Sequence, residues 1–451
     1  MAEAPRGRYA DLFRDRSFAP FLSAGALQFA APSAVQVVLL FSIALAYPAG
    51  VRTDDAALAL AFLGISSTIP TLVTAVVSGA LADRYDRAVL MRAANLVALV
   101  AVAGLAVDLL VRPAQRITVP GPSGFYLPEW VVLAYPAWAA VAASSTVFRP
   151  AYNTLVPRMV ERPLLGRANG LIYAFAAIAS ASATLVVGAV LSLGPVVYAL
   201  GIPFVLYFGT QATLLYIASD PTPEPRGTPR SIWTDAREGY AYLAARRDLL
   251  EITVAALVVN FLAALALVEL ALYVASWLGL VQGIYYGAMV TAATAGAAVG
   301  FVVIGRFRFE ERAGVVMIGL VFAMGGCLVA LALVRSIWLA LPILFAYGVV
   351  PGMITTVFLS TIQATVPAEK MGRVFAADEL GSYSLVPAGQ WAGGLLTLAV
   401  GIQGTYLIAG GAIGLLGVTM LVAFGALRRL GYRPHGPPPA PEPDAEGPVA
   451  V

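Results

Sequence analysis

The 451-residue sequence contains one cysteine, one histidine and one lysine, and only 12% of its residues are charged. With Cys327 alone, neither an intrachain disulfide nor a cysteine-built metal centre can form, and its apolar surroundings read as core. The histidine, His435, lies near the C-terminus, so the apolar body of the chain has no histidine relay. The lysine, Lys370, follows Glu369 rather than a glycine-rich loop, which excludes a phosphate-cradling Walker A sequence. No nucleophile stands beside an evident base, so neither enzymatic activity nor a cofactor is expected. A net charge of +3 offers no basic surface for nucleic acid.

What is abundant is apolar. Hydrophobic residues make up 60% of the chain and mean hydropathy is +0.83, values of an integral membrane protein. Twelve stretches are long enough to span a bilayer, at 18–47, 56–82, 88–111, 129–150, 165–193, 195–218, 248–278, 281–305, 313–334, 336–366, 373–400 and 403–427. The boundaries at Gly194-Pro195 and Gly279-Leu280 are the weakest. The first stretch is too long for a signal-peptide core and reads as a retained helix.

Positive charge alternates with these spans. With the N-terminus inside, 24 of the 28 basic residues fall on cytoplasmic segments, leaving Arg52, Arg112, Arg116 and Arg335 outside. That division predicts an even number of spans in a cell membrane with both termini cytoplasmic. The halves also repeat each other: Val156-Pro157 and then Gly166-Arg167 open the fifth span, and Val366-Pro367 and then Gly372-Arg373 open the eleventh. The expected organisation is a cytoplasmic segment at 1–17, six-helix bundles at 18–218 and 248–427, a linker at 219–247 and a disordered tail at 428–451. Within the linker, Ile232 to Leu243 reads as an amphipathic surface helix. The fold class is therefore all-α: twelve transmembrane helices in two pseudo-symmetric six-helix bundles.

The most specific motif is GALADRYDRAVLMR, Gly79 to Arg92, a short charged loop between the second and third spans. Gly79, Leu81, Ala82, Asp83, Arg84 and Arg87 resemble the G-x-L-A-D-R-x-G-R signature of the major facilitator superfamily, with Asp86 where glycine is expected. Phe148-Arg149-Pro150-Ala151, Arg167-Ala168-Asn169 and Asp235-x-Arg237-Glu238-Gly239 are similar to the branch containing macrolide and siderophore exporters. The resemblance implies a secondary transporter working by alternating access, most simply a monomer that exports amphipathic or hydrophobic small molecules across the lipid and is coupled to protons. It also implies a gate at Gly79, Asp83, Arg84 and Arg87, with Asp83 near the cytoplasmic start of helix eleven. A carboxylate at a helix N-terminus gains about 0.3 to 1 kcal/mol from the dipole. One departure is that Ser182, Ala183 and Thr184 replace the Gly-Pro pair many exporters carry in helix five, where only Gly188 survives.

Without a nucleotide site, transport runs on an ion gradient or on the substrate's own. Membrane carboxylates are the natural proton carriers, and Glu269, Asp378 and Glu379 are deep enough to serve. Glu269 lies about 30 Å along its span from Leu249. It shares a helical face with Tyr273 and Ser276, but Asn260 faces away, so both polar groups reach one cavity only if the helix breaks between them. Helices five and eleven carry matched polar stripes, in which Tyr173 corresponds to Glu379 and Thr184 to Gln390, with Tyr383 alongside. Gln28 and Gln36 on helix one complete the candidate cavity lining, and Pro32, Pro351 and Pro387 mark candidate bends. Two other readings of the same architecture stay open: an importer or symporter of a small polar metabolite, and a lipid flippase or scramblase.

Overall fold

A computed structural model of the chain describes residues 12–13, 17–46, 53–111, 116–118, 126–160, 165–217, 232–304, 312–366, 374, 377–378 and 380–431, with a few helical side chains in these ranges outside the description. Six long helices form the first half: α1 (Phe18–Leu45), α2 (Thr53–Arg84), α3 (Arg87–Val111), α4 (Glu129–Met159), α5 (Leu165–Leu193) and α6 (Val196–Leu214). The amphipathic α7 (Ile232–Ala245) follows. The second half comprises α8 (Arg247–Leu267), the short α9 (Leu270–Leu272), α10 (Gly283–Val303), α11 (Ala313–Leu333), α12 (Ile337–Thr365), α13 (Val386–Ala423) and α14 (Gly425–Arg428). An addition to the expected all-helical chain is a small antiparallel hairpin between α3 and α4, with β1 (Arg116–Thr118) paired to β2 (Tyr126–Pro128).

Among the described residues, eleven helical segments are apolar enough to cross a membrane, and the last, Leu380–Ala423, is 44 residues long. At 1.5 Å per residue that segment would run to about 66 Å, twice a bilayer core. It is two spans in one run, because Gly401 leaves helical geometry at φ 73 and ψ 171, a backbone region open to glycine at little cost. The twelve expected spans are thus all present. Gly279, at φ 68, makes the corresponding turn between the α8 segment and α10.

Within the first half α1 packs on α5 and α6, α4 on α2 and α3, and α3 on α6. The second half repeats the scheme, with α8 and α11 on α13 and α12 on α10 and α11. The halves meet along two seams, α5 against α10 and α2 against α13. These seams exchange under the pseudo-twofold. Close approach depends on small residues, as it does where lipid gives no hydrophobic incentive for association.

The charged loop between α2 and α3 shows why aspartate replaces glycine at position 86. Asp86 Oδ1 accepts the backbone N–H groups of Ala88 at 2.8 Å and Val89 at 3.1 Å, so it is the N-cap of α3. Arg92, one turn further on, donates to the carbonyls of Leu214 and Ile217 and closes the C-terminal end of α6. The side chains of Gly79, Asp83 and Arg84 lie outside the described residues, and Arg87 is buried at the first position of α3. Replacing Asp86 by alanine should cost about 1 kcal/mol and by glycine only a few tenths. Thermal unfolding midpoints in detergent should rank wild type, Asp86→Gly and Asp86→Ala in that order; equal losses would mean the cap is not what Asp86 contributes.

Candidate functional site

The near face of the bundle is the one carrying α7, the start of α1 and α14; the far face carries the turns at Gly194, Gly279 and Gly401. Along the α5–α10 seam, the Thr184 and Thr291 hydroxyls lie 2.9 Å apart, and Thr291 Oγ1 also donates to the Ala181 carbonyl. One turn nearer the far face, a Cβ on Gly188 would stand 2.7 Å from the Gly283 carbonyl oxygen and 2.9 Å from Gly287 Cα. Ser192 Oγ accepts the Ile284 backbone N–H at 2.9 Å. On the other seam Thr68 Oγ1 donates to Gln390 Oε1 at 3.0 Å, and Gly64 and Gly394 leave room for Gln390 and Ala61. Phe62 packs on Trp391 with ring centroids 4.9 Å apart, and Phe41 of α1 stacks on Tyr286 of α10 at 5.3 Å. Among the described residues, these side-chain ties between the halves lie from mid-bundle to the far face, which is closed.

The candidate cavity residues divide accordingly. Thr184 and Gln390, matched by sequence position, are here spent on matched ties across the two seams. Ser180 of the same stripe donates to the Phe29 carbonyl and binds α5 to α1. Tyr173, at 58% exposure, Gln36 and Tyr383 are exposed. Gln28 is buried at 2% exposure, and neither of its amide atoms has a hydrogen-bond partner.

Of the candidate bends, Pro32 and Pro351 lie inside the uninterrupted helices α1 and α12, whereas the second half is interrupted near Glu269 and near Pro387. α8 stops at Leu267, Val268 and Glu269 form a turn, and Tyr273–Trp277 continues as a π-helix. π-helical turns are common where function demands irregular backbone. The Tyr273 hydroxyl and the Trp277 indole N–H donate to Leu331 and Val334 carbonyls at 2.9 Å, fixing the irregular segment to the end of α11. The eleventh span breaks at Ser384 and Leu385, just ahead of Pro387, and Asn260 Nδ2 donates to the Ser382 carbonyl beside that break.

Of the three candidate acids, two can be placed. Glu269 sits at the α8 break with no exposed surface, and neither carboxylate oxygen has a hydrogen-bond partner. Tyr406, whose hydroxyl is likewise without a hydrogen-bond partner, packs its ring 5.0 Å from that of Tyr273, one turn along from Glu269. Asp378, in contrast, accepts from Thr253 at 2.5 Å and from Ser382 at 3.3 Å, which ties α8 to the eleventh span. Glu379 is outside the described residues.

Sequence position alone does not single out several of the contributing residues. Thr291 and Thr68 were unremarkable hydroxyls in apolar runs, although Gly283 and Gly287, four apart, carried the small-residue spacing of a close helix contact. Tyr406 gave no local signal, because Tyr273 is its neighbour only in space.

A family model described as Major Facilitator Superfamily matches residues 21–388. No curated protein matches the chain in sequence. Among solved structures, it resembles a bacterial homologue of the human lysosomal transporter Spinster, inward-facing and unoccupied, at 13% identity and TM-score 0.65, covering 96% of this chain and all of that one. It resembles the nucleoside transporter NupG at 12% identity and TM-score 0.68, covering 90% and 98%. A D-xylose–proton symporter gives 13% identity and 0.66, covering 92% and 99%.

The glycine contacts make the far-face closure testable. Gly188→Leu should force α5 and α10 apart, since its side chain meets Gly283 and Gly287 backbone. Spin labels at Leu193 and Val281 should then show a longer-distance population by electron resonance than in the parent. An unchanged distance distribution would show that the seam does not depend on this approach.

Proposed function

The chain belongs to the major facilitator superfamily, and from that premise we propose that it exports an amphipathic or hydrophobic small molecule in exchange for protons. In this reading the near face is cytoplasmic, and the closed far face makes the present arrangement the inward-facing stage of alternating access. The branch-like motifs around Arg149 and Arg237 support efflux over uptake, although the similar solved structures include a proton symporter by name.

The observation that carries proton coupling is Glu269. An anion at that position would be buried with no donor and no counter-charge, a cost of several kcal/mol. Adding or removing a proton there changes the energy of the closed arrangement, and opening the far face would release that constraint. The carboxyl sits at a turn flanked by a π-helix, backbone that can rearrange without breaking a continuous helical ladder. Asp378 has a structural place between Thr253 and Ser382 and is the weaker candidate. The charged loop would then close the cytoplasmic side when the far side opens, with Asp83 facing the start of the eleventh span.

Proteoliposomes with an imposed pH gradient test this directly, using a panel of cationic, neutral and anionic amphipathic dyes. Wild type should move a dye against its gradient at the expense of protons. Glu269→Gln should lose gradient-driven accumulation while keeping dye exchange, and Glu379→Gln serves as the comparison. Full gradient-driven transport by Glu269→Gln would remove this carboxyl from coupling. Asp83→Asn should shift labelling of engineered cysteines, in a Cys327→Ser background, toward the cytoplasmic side; unchanged labelling would remove Asp83 from the gate.

A further inference from the structure

Arg149 belongs to α4, ten residues short of its end at Met159, and so is part of the helix rather than of the loop beyond. Its guanidinium carbon lies 5.5 Å from the centre of the Phe29 ring on α1. Phe29 is about 16 Å into α1 from Phe18, and Tyr173 about 12 Å into α5 from Leu165, so the group lies at membrane depth. Cations there are costly and are normally paired or turned toward a water-filled interior. Arg149 is exposed, and among the described residues no carboxylate pairs with it.

The surroundings show which way it looks. Behind the α1–α4 seam, α3 packs on α6 and closes the half. Phe21, Phe148 and Tyr152 fill that seam, with Phe21 and Tyr152 stacked at 4.1 Å and the Tyr152 hydroxyl donating to the Phe21 carbonyl. Arg149, one position round α4 from Phe148, reaches across to Phe29 and stays exposed. On α5 the exposed Tyr173 stands two turns before Ser180, whose hydroxyl donates to the Phe29 carbonyl. A cation–π contact holds the guanidinium in place while leaving its N–H fork free.

We propose that Arg149 is the anion-recognition point of the substrate pathway, and that the cargo is an organic anion whose carboxylate or phosphate is taken by the guanidinium while its flat apolar body lies against Phe29 and Tyr173. This rests on the transporter reading above and narrows its cargo class. The chemistry follows from the free fork, which binds planar oxyanions in bidentate fashion, and from the aromatic floor beside it.

Binding to the purified full-length chain in an uncharged detergent tests it without any gradient. The probe is 1-naphthoate, titrated by thermal stabilisation, with neutral 1-naphthylmethanol as its isostere. Naphthoate should bind wild type more tightly than the alcohol, and more weakly as salt rises. Arg149→Gln should weaken naphthoate by about tenfold or more, with partial recovery in Arg149→Lys. Phe29→Leu, which keeps the charge and an apolar side chain, should weaken it several-fold and serves if Arg149→Gln does not fold. Equal affinity for acid and alcohol, or unchanged naphthoate binding in both Arg149→Gln and Phe29→Leu, would overturn the proposal. So would phosphatidylglycerol stabilisation that depends on Arg149 while naphthoate stabilisation does not, since the arginine would then be a headgroup anchor. A chain that transports dyes under a pH gradient yet fails these tests would refute the anion site alone.

Discussion

The structure depends on bringing two helix pairs into backbone contact with no water to compete for their polar groups. On the α5–α10 seam, Gly188, Gly283 and Gly287 remove the side chains that would hold the helices apart, and Thr184 meets Thr291. On the α2–α13 seam, Gly64 and Gly394 do the same, and Gln390 meets Thr68. Each tie is a single neutral hydrogen bond, of the order of 1 kcal/mol even in a membrane. That modest strength suits a contact that must break in every cycle. The permanent joints within each half are denser, as where Arg247 and the Leu427 backbone N–H both engage Glu251.

Much of this architecture was legible because the bilayer restricts what a sequence can do. Span length, the positions of arginine and the repeated Val-Pro and Gly-Arg punctuation gave twelve helices in two halves, and Gly401 and Gly279 separate spans where the apolar runs were divided. Helical phase put Asn260 and Glu269 on opposite faces and so made a shared cavity conditional on a break between them, and the chain does leave α-helical geometry at Glu269. Matching Thr184 with Gln390 by position also paired two residues that have equivalent structural tasks.

What escaped was whatever depends on a neighbour distant in sequence. Thr184 and Gln390 were read as polar stripe residues, and only the partners Thr291 and Thr68 show them crossing between halves. Asp86 looked like a lost glycine, yet its carboxylate caps α3. Arg149 counted as one more positive residue on the inner side until its position over Phe29 showed where the guanidinium is held. The two unusual polar groups also fall in different halves, Arg149 in the first and Glu269 in the second.

The central claim is that the α5–α10 seam is a closed gate that must open during transport. Cysteines at Thr184 and Thr291, in a Cys327→Ser background, should form a disulfide under mild oxidant because the native hydroxyls are 2.9 Å apart. The account predicts that the cross-linked protein in proteoliposomes stops transporting and regains its rate when the disulfide is reduced. Full transport with the cross-link intact would contradict it.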